Sequence, residues 1–102
     1  MKYSKLTLEE INQNYENVRT FWSLEKNKLI CNSKFPDFSS AFSFLTEVAI
    51  LAEKMDHHPT IINTYGNVSL EIWTHDVGGL TKLDFEFAET VIKLLDVRRN
   101  LF

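Results

Sequence analysis

Apolar residues along this chain recur with two periods, and the change between them marks the elements. Leu8, Ile11, Tyr15, Val18 and Trp22 are spaced three or four apart, with Glu, Asn and Gln between them, which predicts an amphipathic helix ending near Thr20. Thr7 and Glu10 stand three apart at its start, a capping box in which each side chain satisfies the other's free backbone N–H. Short extended runs follow around Trp22 to Leu24 and from Leu29 to Phe35, and the polar Glu25 to Lys28 joins them as a hairpin.

Pro36-Asp37 interrupts the chain, and Asp37 is placed to cap a long helix bearing Phe38, Ala41, Phe42, Leu45, Val48, Ala49, Ala52 and Met55 on one face. Phe44 and Leu51 fall off that stripe and predict a second, narrower apolar surface of the kind that meets a partner. The helix must stop near Asp56 or His57, because the residue before Pro59 is pushed into an extended conformation. Thr60 to Tyr65 and Val68 to Thr74 are β-rich and predict a second hairpin turning at Gly66-Asn67. In its later strand Val68, Leu70 and Ile72 share one face and Ser69, Glu71 and Trp73 the other, the alternation of a sheet covered on one side. After Gly78-Gly79, a second capping box from Thr81 to Asp84 opens a helix carrying Ala88, Val91, Ile92 and Leu95. The order αββαββα predicts an α+β two-layer fold, with residues 1–102 forming one domain.

Composition narrows the function. The 102 residues are 44% hydrophobic with a formal charge of -3, enough for one core and without the basic stripe that direct nucleic-acid binding requires. No window approaches the ~20 apolar residues of a membrane span, and the N-terminus lacks a signal-peptide core. The only cysteine, Cys31, forms no internal disulfide and reads as a half-buried strand residue. A soluble protein in a reducing, cytoplasmic setting is expected, and a nuclear presence is compatible with it.

The candidate chemistry lies in EKMDHHPT and WTHDVGGLT, which hold all three histidines: His57, His58 and His75. Glu53 precedes His57 by one helical turn and is placed to orient its ring, and the negative end of the helix favours imidazolium. His57 is therefore a candidate general acid. Pro59 holds His58 extended, directed away from His57, while His75 arrives from a strand end. Two other readings compete: three surface histidines near turns, and a three-histidine zinc site. The zinc reading is the weaker, because side chains of adjacent residues diverge.

The stretch AEKMDHHPTIINTYGNVSLEIWTHDVGGLTKLD resembles the signature of the pterin-4a-carbinolamine dehydratases, a family that also contains the dimerisation cofactor of a homeodomain transcription factor. The resemblance runs back through FWSLEKNKLICNSKFPDFSSAFSFLTEVAILAEK to LTLEE and covers essentially the whole chain. It implies helices packed on one face of a four-stranded antiparallel sheet. It also implies a reaction, the loss of water from 4a-hydroxytetrahydrobiopterin to give the quinonoid dihydropterin, which recycles tetrahydrobiopterin after aromatic hydroxylation. On this resemblance His57, His58 and His75 are catalytic; these three with Pro59, Thr74, Asp76 and Val77 bind the pterin; and Glu53 and Asp84 are possible supports. Asp84 is also fully explained as the carboxylate of the Thr81 capping box. No metal and no cofactor is implied, since pterin is the substrate. A homodimer or homotetramer is implied, with a transcription-factor partner left open, and the rival reading is a non-catalytic dimerisation or coactivator module. Ile61 departs from the family, which commonly has tryptophan there, and is expected to loosen one wall of the site; Trp73 is a candidate to compensate.

Overall fold

A computed structural model describes residues 3–99. Its elements are α1 (Leu8–Tyr15), β1 (Ser23–Glu25), β2 (Lys28–Lys34), α2 (Phe38–Met55), β3 (Thr60–Thr64), β4 (Asn67–Ile72), a 3-10 turn (His75–Val77) and α3 (Lys82–Arg99). The strands form one antiparallel sheet in the order β1-β2-β4-β3, so the α+β class and the element order match the sequence reading.

Two of the three predicted caps form as expected; in the third, Asp84 accepts from the Thr81 N–H at 2.9 Å while the Thr81 hydroxyl turns to Thr74. Thr7 accepts from the Glu10 N–H while Glu10 reaches back to the Thr7 N–H, and Asp37 accepts from the Ser40 N–H at 2.7 Å. These hydrogen bonds hold the Glu10 and Asp37 carboxyls below their ordinary values. The first helix is shorter than its apolar spacing predicts and stops at Tyr15. The Tyr15 hydroxyl donates to the Trp22 carbonyl at 2.8 Å, and successive turns let Val18 and Trp22 both enter the core. Leu8, at the helix start, is 73% exposed and takes no part.

On α2 the buried seam is Ala41, Phe44, Leu45, Val48 and Ala52. Phe44 is fully buried, with its ring 5.1 Å from that of Phe35, and Leu51 packs against the core from its margin. The predicted Phe44/Leu51 surface is therefore interior. Phe38, Phe42 and Ala49, expected on the core face from their spacing, are exposed together with Ile50, and Phe38 and Phe42 pack on each other at 5.4 Å. Spacing alone gives the helical period but not its phase.

Leu29 and Cys31 of β2, with Val68, Leu70 and Ile72 of β4, bury the inner face of the sheet against Phe85, Phe87, Ala88 and Val91 of α3 and the seam of α2. Each large side chain so buried contributes ~1.5–3 kcal/mol. The Trp22 indole N–H donates to the Ala88 carbonyl at 3.2 Å and ties the end of the first turn region to α3. Cys31 is more buried than expected, and burial pushes its thiol above the ordinary value.

The second hairpin turns at Tyr65-Gly66, not Gly66-Asn67, since Thr64 pairs with Asn67. Tyr65 takes the positive φ of 53°. Gly66 is required for another reason: a Cβ there would lie 2.2 Å from the Phe35 carbonyl oxygen, where the Phe35 N–H donates to the Gly66 carbonyl at 2.7 Å. β3 is an edge strand, and Ile61, paired in register with Leu70 but beyond the helix cover, stays 41% exposed.

Candidate active site

Two chain reversals and the start of α3 converge at one end of the sheet. Helix α2 closes on Asp56, which adopts the left-handed conformation (φ 50°, ψ 47°) and donates its N–H to Ala52 and Glu53 carbonyls. The His57 N–H follows with a 3.0 Å bond to the Ala52 carbonyl. This reversal sends His57 inward, to 8% exposure, and leaves His58 outside. From the other side, β4 runs through Thr74 into the 3-10 turn that begins at His75, and Gly78 at φ 64° returns the chain so that the Thr74 N–H reaches the Gly79 carbonyl at 2.9 Å. Helix α3 then starts at Lys82, two residues before Asp84.

Asp84 is the centre of a closed network. Its carboxylate is fully buried; Oδ1 lies 2.5 Å from His57 Nε2, and Oδ2 accepts from the Thr74 hydroxyl at 2.8 Å and from the Thr81 N–H at 2.9 Å. The Thr74 hydroxyl hydrogen is thereby spent, so Thr81, whose Oγ1 is 2.8 Å away, donates to Thr74. A carboxylate accepts only, which puts a hydrogen on His57 Nε2 and leaves Nδ1 without a partner among the described residues. The Phe87 ring meets the same imidazole edge-on at 6.3 Å. No buried side-chain polar atom among the described residues lacks a partner, the condition under which such a network is rigid and not a liability.

The sequence placed Glu53 beside His57, and here the structure differs. Glu53 instead pairs with His58, Oε2 to Nε2 at 2.6 Å, with both side chains largely exposed. Because His57 turns inward past the left-handed Asp56, the i−4 relation of an unbroken helix does not apply to it. Asp84, explicable from sequence as a cap alone, serves both ends: it accepts from the Thr81 N–H as a capping carboxylate does and it holds His57. His75 is exposed and stacks on Trp73, with ring centroids 4.2 Å apart and planes at 28°.

A cavity of about 550 Å³ opens between these elements, lined by His57, His58, Thr74, His75 and Asp76 together with Tyr3, Met55, Asp56 and Leu83. Pro59 and Val77, expected at the ligand, do not line it. The Val77 N–H turns back to the Thr74 carbonyl at 3.3 Å. Ile61 is also outside the lining, so it forms no wall of this cavity. Among the described residues no group of three or more His, Cys, Asp or Glu has metal-holding geometry.

A profile of the Pterin 4 alpha carbinolamine dehydratase family matches residues 4–94. The chain belongs to this family. A dehydratase relative from Synechococcus sp. (strain WH7803), named provisionally for this activity, is 48% identical over 75 residues, covering 74% of this chain and 81% of its own. One from Solibacter usitatus (strain Ellin6076), named in the same way, is 41% identical over 85 residues, or 83% and 88% of the two chains. The crystal structure of a transcriptional coactivator/pterin dehydratase from Brucella melitensis superposes with a TM-score of 0.84 at 33% identity, covering 89% of this chain and 98% of that one.

Within this family frame, four lining residues and one network member escaped the sequence reading. Met55 and Asp56 adjoin His57 and were legible as neighbours of a candidate. Leu83 precedes Asp84 on α3. Tyr3 is delivered by the N-terminal segment, which is pinned where the Leu6 N–H meets the Leu80 carbonyl at 2.9 Å, and nothing local in the sequence announces that pairing. The Thr81 hydroxyl shows its role only when Thr74 is brought against it.

Proposed function

We propose that this protein removes water from 4a-hydroxytetrahydrobiopterin, giving the quinonoid dihydropterin and so recycling tetrahydrobiopterin. The observation that carries this reading is the set of three imidazoles at one cavity, each held differently: His57 on buried Asp84, His58 on exposed Glu53, and His75 on an aromatic ring. Family membership supplies the pterin.

The reaction needs one acid and one base. The C4a–O bond breaks as the hydroxyl is protonated, the N5 hydrogen leaves, and the electron pair released at N5 forms the C4a=N5 double bond. His57, with Nε2–H anchored on Asp84, gives a proton from Nδ1 to the hydroxyl, which leaves the neutral ring in the Nε2–H tautomer that Asp84 accepts from. His75, whose ring makes no hydrogen bond or ion pair among the described residues, takes the N5 proton. His58 at the rim, together with Thr74 and Asp76, completes the binding surface. Nothing is oxidised or reduced, so the proposal includes no metal and no cofactor.

One domain carries this function, and a reducing cytoplasmic setting suits its lone buried thiol. Self-association into a dimer or tetramer belongs to the same proposal, supported by the exposed Phe38, Phe42 and Ile50 of α2 and by the open edge of β3. The Brucella melitensis relative's description as a transcriptional coactivator favours one second reading, a binding module with a transcription-factor partner. Since the carbinolamine also dehydrates unaided, the test is the rate with protein minus the spontaneous rate. Excess dehydration supports the enzyme, and no excess from folded protein supports the module.

A further inference from the structure

We infer that Trp73 is a positioning residue that sets the orientation of His75. The three imidazoles of the site are held unequally. His57 and His58 each have a carboxylate within hydrogen-bond reach, whereas the His75 ring makes no hydrogen bond or ion pair among the described residues. An exposed side chain with two free torsions and no partner samples several rotamers, and proton transfer tolerates little of that freedom. The contact that restrains it is the Trp73 indole, stacked on the imidazole at 4.2 Å and 28°.

The indole is itself braced. Trp73 continues the outer row of β4 that includes Ser69 and Glu71, and Lys28 of β2 places its Nζ 5.2 Å from the indole centroid. Glu71 fixes that ammonium at 2.8 Å in a half-buried pair. Glu71, Lys28, Trp73 and His75 thus form a chain from the outer face of the sheet to the cavity. His75 lines the cavity and Trp73 does not, so the indole has no part in the lining itself. A stack orients a ring without occupying its nitrogens, and both stay free for substrate. A carboxylate holder, as on His57, takes one of them.

The catalytic consequence rests on the dehydratase reading, but the stack does not, and the two are measured separately. In the wild-type protein the His75 Hδ2 and Hε1 resonances are expected upfield of free imidazole because of the indole ring current, and Trp73→Ala should abolish that displacement. The same change should lower background-corrected kcat by about two- to tenfold, the worth of one aromatic pair, with KM less affected. Trp73→Phe, which keeps a ring at the position, should recover most of the loss. Wild-type His75 resonances at free-imidazole positions would overturn the inference without any variant. So would a folded Trp73→Ala protein whose ring shifts collapse while its rate stays normal, because His75 would then need no holder. If the wild type shows no excess dehydration, the functional reading fails, and the ring shifts still decide whether Trp73 orients His75.

Discussion

Replacing Asp84 with asparagine changes one atom of the site and tests the network that holds His57. In the native protein Oδ2 receives two donors, the Thr74 hydroxyl and the Thr81 N–H, while Oδ1 faces His57 Nε2. The Thr81 amide is always a donor, so the asparagine oxygen must stay on that side and its NH2 must face His57. Nε2 then has to accept, and the imidazole hydrogen moves to Nδ1, the reverse of the native tautomer. Loss of the charge-assisted bonds at a fully buried position costs roughly 1–3 kcal/mol, which for a domain of this size lowers Tm by ~4–8 °C per kcal/mol. The catalysed rate should fall ~10²-fold or more, the scale of a lost acid–base group. Nitrogen-15 shifts of the His57 ring would report the tautomer, thermal melting the stability, and background-corrected dehydration the rate. A folded Asp84→Asn protein with native tautomer and native rate would refute the reasoning.

Three further outcomes follow from the same structure. Dialysis against a strong chelator should leave dehydration unchanged, and a rate lost on chelation and restored by zinc would reinstate a three-histidine metal site. Because burial raises the Cys31 thiol, its contribution to stability is complete below the ordinary thiol value and is lost as pH rises through the higher folded value; native Cys31 should also react slowly with thiol reagents at mildly alkaline pH, and rapid labelling of folded protein would contradict the burial. Light scattering at micromolar concentration should find dimers or tetramers, and only monomer would contradict the self-association proposal.

Much of this fold was legible because its signals are local. Thr7 with Glu10, and Asp37 with Ser40, announce helix starts through side chains only three residues apart, and the alternation of Val68, Leu70 and Ile72 reports which face of β4 is covered. What the sequence concealed depends on distant partners. The spacing on α2 placed Ala41, Leu45, Val48 and Ala52 correctly, but Phe38, Phe42 and Ala49 stay outside and Phe44 enters the core, where its ring meets that of Phe35. The histidines were legible as a group, and Glu53 and Asp84 as possible supports, but which carboxylate holds which ring was not. Glu53 was assigned to His57 on the geometry of a continuous helix, and a single left-handed residue, Asp56, transfers it to His58. Asp84 stands 27 residues from His57, and only the docking of α3 joins them.

The central claim is that imidazole proton transfer at this cavity is the catalysis, and the His57→Ala/His75→Ala double variant tests it most directly. Either single change can be partly masked if one histidine substitutes for another, so single losses fall between partial and ~10²–10⁴-fold. The double variant should lose essentially all rate above the spontaneous reaction, more than either single change, while circular dichroism remains native. A natively folded double variant with the wild-type background-corrected rate would show that His57 and His75 are dispensable and that the account is wrong.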